Sequence, residues 1–197
     1  MTDDVRTRIL RAAVRCVGRY GLSKTSLEDV AREAEIGRAT VYRYFEGGRD
    51  QLIAETIEFE VATFFRELAR EVDDAPDFPT RLERGLLFAH RAVLDHDVLQ
   101  KVLDTEPERL LPHFTTAGPL ILLALAAYVE PLLADLELRD GMTPAEGADW
   151  LARMVLSFII GQGSWDLGDP DDVRRLVRRH LLVGVLADPD PAPADPG

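Results

Sequence analysis

Apolar residues at Val5, Ile9, Ala12, Ala13, Cys16, Val17 and Tyr20 recur at spacings of three and four, with Arg8, Arg11, Arg15 and Arg19 off the stripe. This predicts an amphipathic helix over about residues 3–20, stopped by Gly21. Ser26, with Asp29 three residues on, reads as the cap of a second helix whose inner face is Leu27, Val30, Ala31 and Ala34. A turn at Glu35–Ile36–Gly37 leads to a short third helix, about 38–45, with Val41 and Phe45 inward and Gly47–Gly48 as its end. A long helix follows over about 50–72, on the stripe Leu52, Ile53, Ile57, Val61, Phe64, Phe65 and Leu68. Pro and Asp between residues 73 and 79 mark a loop, and helices are predicted at about 80–95 and 97–105. Breaks are predicted at Glu106–Pro107 and Pro112. The run from Pro119 to Ala134 is expected to be buried nearly all round and kinked or stepped at Pro131. Thr143 reads as a cap with Pro144 at the first helical position, and helices at about 144–163 and 171–187 close the pattern. With no alternating segment of strand length, the fold class is all-α.

Composition changes this picture little, but charge does. At 197 residues and 46% hydrophobic content, the chain holds enough for one sizeable core or two small ones. The net charge of −12 is unevenly placed: residues 1–47 carry nine basic and seven acidic groups, +2, which leaves −14 for the rest. A basic head on an acidic body directs a polyanion to one end. The single cysteine, Cys16, excludes an internal disulfide and a CxxC metal pair, and its place on the apolar stripe makes it a core residue. The acidic Met1–Thr2–Asp3–Asp4 start lacks an apolar run of the signal-peptide type. The longest apolar stretch, Leu120 to Val129, is 10 residues, about half a membrane span. A soluble, cytoplasmic protein is expected. The segment from Asp188 to Gly197 alternates Pro, Asp and Ala and is expected to be disordered.

Candidate chemistry concentrates on the third helix. Val41 and Phe45 define its inward side, so Arg38, Thr40, Tyr42, Arg43 and Tyr44 cannot all be buried. Two short helices around a tight turn, the second bearing hydroxyl, phenol and guanidinium groups, form the chemistry of a helix-turn-helix that enters the DNA major groove. Arg38, Thr40 and Arg43 are candidate base readers, because guanidinium groups bind guanine O6 and N7 in two-point fashion. Tyr42 and Tyr44 are candidate phosphate or sugar contacts, although Tyr44 alternatively packs on the first helix. Thr25 and Ser26 offer hydroxyls and a helix N-terminus to phosphate, or serve as caps alone. Lys24 binds phosphate or stays solvated.

Elsewhere the signals are broader. Phe64, Phe88, Leu94, Leu103 and Phe114, with Phe59, Leu99 and Leu120, are candidate linings of an apolar effector cavity or ordinary core. The polar His90, His113, Gln162 and Trp165 in this apolar context are candidate effector contacts. The contiguous Asp95–His96–Asp97 cannot converge on one metal ion from a helix, and Gly161–Gln162–Gly163–Ser164 has neither the strand nor the lysine of a phosphate loop. No cofactor is expected, and no nucleophile or acid–base pair at fixed spacing marks an enzyme. Met154, Val155, Phe158 and Ile159, together with Val173, Leu176, Val177, His180 and Leu181, give two helices more apolar surface than one small domain needs, which makes them a candidate dimer interface. Arg174, Arg175, Arg178 and Arg179 are expected to pair with acids across its rim, with a second basic patch as the alternative.

From about Ile9 to Leu52 the chain resembles the TetR family of one-component bacterial transcription regulators. The resemblance rests on the helix ending Tyr20–Gly21, on Thr25–Ser26–Leu27–Glu28–Asp29–Val30–Ala31, on Gly37–Arg38–Ala39–Thr40–Val41–Tyr42–Arg43–Tyr44–Phe45, and on Leu52 opening the long helix. The loop Glu46–Gly47–Gly48–Arg49 is one residue longer than the common family form, and Arg49 stands where a lysine is frequent, so it joins the candidate DNA contacts. The resemblance implies a helix-turn-helix domain over 1–47, an effector-binding and dimerisation domain over 48–187, and a tail over 188–197. It further implies a homodimer on double-stranded DNA with inverted half-sites, a repressor released by a small hydrophobic effector through movement of the long helix, and dimerisation through the last two helices. Two alternatives stand beside it: a small α-helical enzyme acting in the C-terminal pocket, and a helical interaction or small-molecule-binding module whose helix-turn-helix no longer binds DNA.

Overall fold

The computed structural model of the chain describes residues 5–161 and 163–187, with the side chains of residues 109–117 and 120 outside the description. The expectation for residues 188–197 therefore lies outside the described residues. Nine α-helices are present among the described residues: α1 Val5–Tyr20, α2 Leu27–Glu33, α3 Arg38–Tyr44, α4 Gly48–Glu71, α5 Phe78–Leu94, α6 Asp97–Thr105, α7 Pro107–Leu133, α8 Pro144–Ile160 and α9 Pro170–Leu176. The chain forms two compact units. One takes the chain up to Arg66 together with Ala92–Gly118; the other takes Glu67–Arg91 and the chain from Pro119 onward.

The first unit is built on the α1 stripe. Ile9, Leu10, Ala12, Ala13 and Cys16 close a core with Leu27, Val30, Ala31, Ala34, Val41, Phe45 and Leu52. Burial pushes the Cys16 thiol up, which leaves it an unreactive packing residue. Gly21 ends α1 with φ +89°, a left-handed conformation that disfavours every other residue there. A second small cluster joins Val17 and Leu22 to Ile53 of α4 and Val102 of α6, so α6 packs on α1 and the loop that follows it. His96 caps α6: its Nδ1 accepts the Leu99 N–H at 3.1 Å, while Nε2 lies 2.9 Å from the Glu60 carboxylate. The Asp95–His96–Asp97 triplet is thus a helix junction.

The second unit closes around Leu86, Leu133, Leu151, Leu167, Val173, Leu176, Val177, Leu181 and Leu182. Two expectations need correction here. The break predicted at Glu106–Pro107 separates α6 from α7, but the one predicted at Pro112 is absent, because α7 is one helix of 27 residues from Pro107 to Leu133. Pro107 sits in the first turn, where the missing N–H costs nothing, and the later prolines are carried by a helix long enough to absorb single lost bonds. Nor is the apolar run buried all round: Val129 and Leu133 are buried, whereas Leu123 is 67% exposed. One helix presents only one face to its own core.

The last predicted helix is also shorter than 171–187. After α9 the backbone widens into a π turn, Val177–Leu181, then a 3-10 turn, Leu182–Gly184. A regular continuation of the Val173–Leu176–Val177 stripe brings position 180 inward. The wide turn instead leaves His180 exposed and admits both Leu181 and Leu182 to the core. It also lets Gly184 lie against the Trp150 ring, at a spot with no room for a Cβ, before Leu186 pairs with Leu138 in an isolated antiparallel bridge.

Candidate nucleic-acid interface

The short α2 and α3 helices are positioned by local chemistry. Ser26 caps α2, its Oγ accepting the Asp29 N–H at 3.2 Å. Glu35 turns the chain with φ 53°, and Ile36 N–H returns to the Ala31 carbonyl at 3.0 Å. Arg8 of α1 donates to the Ala34 carbonyl at 2.9 Å, which satisfies a group that the end of α2 leaves open. Val41 and Phe45 are fully buried, and this fixes the rotation of α3.

That rotation exposes Arg38, Tyr42 and Arg43 and leaves Thr40 half-buried. Tyr44 is half-buried against the head core, so its ring is spent on packing, the alternative raised for it from sequence. Arg43 lies over the Tyr44 ring, 5.9 Å from its centre, and forms no ion pair among the described residues. Arg38 pairs with Glu28 of α2 and lies 5.4 Å from the centre of the Tyr42 ring; the Tyr42 hydroxyl donates to Glu28 at 2.9 Å. Arg38, Tyr42 and Glu28 therefore form one polar cluster on the surface beside Arg43.

Of the other candidates, Thr25 and Arg49 occupy different roles from those expected, and Ser26 takes the capping role raised for it. Thr25 is buried, and its hydroxyl donates to the Gly21 carbonyl at 2.8 Å, so it closes the α1–α2 loop instead of facing solvent. Ser26 is half-buried, with its hydroxyl engaged by Asp29 in capping α2. Arg49, the candidate in the longer loop, donates from Nε to the Thr25 carbonyl at 3.0 Å and from Nη2 to the Leu22 carbonyl. Its fork is directed at backbone, which makes it a brace for the loop. Lys24 is exposed at the tip of that loop.

The same loop is held from α6 by residues that sequence reading did not single out. The Glu106 carboxylate accepts the N–H groups of Leu22 and Ser23, both at 2.9 Å. Lys101 Nζ donates to the carbonyls of Gly18 and Arg19 at 2.7 and 3.3 Å, where α1 leaves its last carbonyls open and a cation also meets the negative end of the helix dipole. Gly18 has no room for a Cβ beside Val98, and a Cβ on Gly21 would overlap the Glu106 carboxylate. The contacts span 82 to 84 residues, and no local pattern announces them. Lys101 and Glu106, five residues apart at a helix end, and Gly18 and Gly21 at the end of a distant helix are the traces they leave in the sequence.

The candidate effector contacts divide between the units. Phe64, Leu94 and Leu103 belong to the first, where Phe64 meets Phe65 edge-on at 5.4 Å. Leu94 and Leu103 are 55% and 36% exposed. In the second unit His90 is buried, Phe88 is half-buried, and Trp165 meets His180 edge-on at 5.1 Å. The side chains of His113 and Phe114, and Gln162 altogether, lie outside the described residues. Among the described residues no group of His, Cys, Asp and Glu is placed to hold a metal ion, and no helix is long and apolar enough to cross a membrane.

The candidate dimer residues also separate. Val155, Val173, Leu176, Val177 and Leu181 are buried within a single chain, which corrects their assignment to an interface, because the chain's own core already uses them. Met154, Phe158 and Ile159 are half-buried, His180 is exposed, and Ile160, beside them, is 87% exposed. Of the four arginines expected at a dimer rim, Arg174 and Arg178 pair with Glu83 within the chain and Arg175 pairs with Asp172.

Comparison with known proteins places these features. Residues 9–56 match the family model of bacterial regulatory proteins, tetR family. An uncharacterized HTH-type transcriptional regulator of Mycobacterium bovis is 28% identical over 155 residues, 78% of this chain and 77% of that protein. Among solved structures, the TetR family repressor AlkX from a Dietzia strain, implicated in biodegradation of n-alkanes, aligns with a TM-score of 0.62 at 23% identity over 90% of this chain and 94% of that one. The SmeT–triclosan complex aligns with a TM-score of 0.54 at 22% identity over 96% and 99% of the two chains.

Proposed function

The chain belongs to the tetR family of bacterial regulatory proteins, and from that premise we propose that it is a homodimeric repressor that reads double-stranded DNA with α3 and leaves it when a small hydrophobic effector binds. The observation that carries the reading is the division of α3: Val41 and Phe45 are sealed in the head core, while Arg38, Tyr42 and Arg43 stand together at the surface. Two exposed guanidinium groups and a phenol on one short helix offer two-point donors to guanine and a ring for sugar or a thymine methyl. Thr40 adds a hydroxyl at the edge of this face, and Lys24 a cation at the neighbouring loop tip.

Apolar surface left over in the second unit supports the effector and the partner copy. Leu123 of α7 is 67% exposed and Ile160 at the end of α8 is 87% exposed. AlkX, implicated in biodegradation of n-alkanes, and SmeT, seen in complex with triclosan, are two proteins of the same fold that support reading the effector as a small apolar molecule. The response is proposed to reach the head through α6 as well as the long α4, because Glu106 and Lys101 fasten α6 to the loop and helix that precede the reading surface.

The test is selection of bound duplexes from a randomised double-stranded library, followed by Arg43→Ala. Arg43 is free of ion pairs among the described residues and is therefore the cleanest base reader. Its loss is expected to cost about 1–3 kcal/mol on the selected duplex and to relax preference at one position in each half-site. Equal weakening on every duplex contradicts base reading and assigns Arg43 to phosphate. No enrichment by the wild-type protein contradicts the function as a whole.

A further inference from the structure

Resting on the DNA-binding reading above, we infer that Glu28 is a specificity-determining positioning residue, one that holds Arg38 and Tyr42 in register on α3 and whose charge penalises duplexes that offer Arg38 no base edge. The geometry is a closed triangle. The Glu28 Oε1 atom accepts the Tyr42 hydroxyl at 2.9 Å, the same oxygen pairs with the Arg38 guanidinium, and Arg38 lies 5.4 Å from the centre of the Tyr42 ring. Glu28 sits in the first turn of α2, where a carboxylate is favoured by the helix dipole, and Asp29 beside it is taken by Ser26 and Arg32. The Tyr42 hydrogen bond holds the Glu28 carboxyl below its ordinary range, so the group is an anion at neutral pH.

An anion is unexpected on a surface that meets phosphate. On a mismatched duplex the carboxylate faces the DNA charge with no return, and its repulsion weakens binding. On the matching duplex, Arg38 has five donors and a fork geometry, so a guanine edge can take two of them while Glu28 still steadies the rest of the group. Two effects follow from one residue. Arg38 is presented in a single arrangement, with less rotamer freedom to lose on binding, and sequence-independent attraction is reduced. Both raise the ratio of specific to non-specific affinity, and neither requires Glu28 to touch a base.

The experiment compares wild-type protein with Glu28→Gln, Arg38→Ala and the double variant. Fluorescence anisotropy is read on the duplex selected by the wild type and on a scrambled duplex of the same length and composition. Glu28→Gln keeps the shape and an acceptor for Tyr42 but removes the charge. Removing one like charge from the face is expected to tighten binding to the scrambled duplex by about threefold to tenfold at 0.1 M salt, with less change on the selected duplex. The discrimination ratio then falls. In the Arg38→Ala background the same change is expected to leave preference at the Arg38-read base pair unaltered, since nothing remains to be held. An unchanged ratio in Glu28→Gln, with the wild type still selective, overturns the inference and reduces Glu28 to a surface acid. Equal effects of Glu28→Gln with and without Arg38 also overturn the positioning role. A wild-type protein that does not discriminate the two duplexes overturns the DNA-binding reading itself.

Discussion

Leu176→Ala is expected to destabilise the second unit by about 2–5 kcal/mol, the cost of deleting most of a fully buried leucine and leaving a cavity. Leu176 has no exposed surface and packs in the core with Leu151, Val173, Val177 and Leu181. The effect is therefore expected within each protomer, as an earlier urea midpoint that does not depend on protein concentration. Ile160→Asp is the matched opposite. Ile160 is 87% exposed, so the aspartate is expected to leave the protomer's fold intact; if this end of α8 meets a second copy, light scattering then reports half the mass. A wild-type urea midpoint for Leu176→Ala contradicts the placement of Leu176 in the protomer core. An unchanged mass for Ile160→Asp contradicts a second copy at this end of α8.

Gly21→Ala is expected to loosen the DNA-binding head from its support. The φ of +89° alone costs an alanine about 1–2 kcal/mol, and the new Cβ has to displace the Glu106 carboxylate from its two N–H partners. Faster hydrogen exchange at the Leu22 and Ser23 amides is the local signature, with a lower melting temperature as the global one. Glu106→Gln separates the contributions: it leaves the turn unstrained and retains one acceptor oxygen, so a smaller loss is expected. Unchanged amide protection in Gly21→Ala contradicts the α6 brace.

The head was legible because its signals are local. The stripe from Ile9 to Val17, the Ser26–Asp29 cap and the inward Val41 and Phe45 are each set by residues a few positions apart, and all recur in the structure. α6 was legible for the same reason: its observed limits, Asp97–Thr105, are those its pattern predicts. The brace on the α1–α2 loop was not, since Glu106 and Lys101 reach partners more than 80 residues away. Arg49 and Thr25 misled for a related reason. A polar side chain reads as available until the carbonyl it satisfies is known, and here those carbonyls belong to the same loop. The dimer stripe failed differently. Leu176 and Leu181 look the same in sequence whether they face their own core or a partner, because apolar periodicity reports that a face is covered and not by what.

The most direct test of the DNA-binding account is the salt dependence of binding to the selected duplex. A dimer that neutralises roughly 6–10 phosphates is expected to lose about 10³–10⁵ in affinity between about 50 and 200 mM salt, with log affinity linear in log salt. A flat response, or equal affinity for selected and scrambled duplexes across that range, contradicts it.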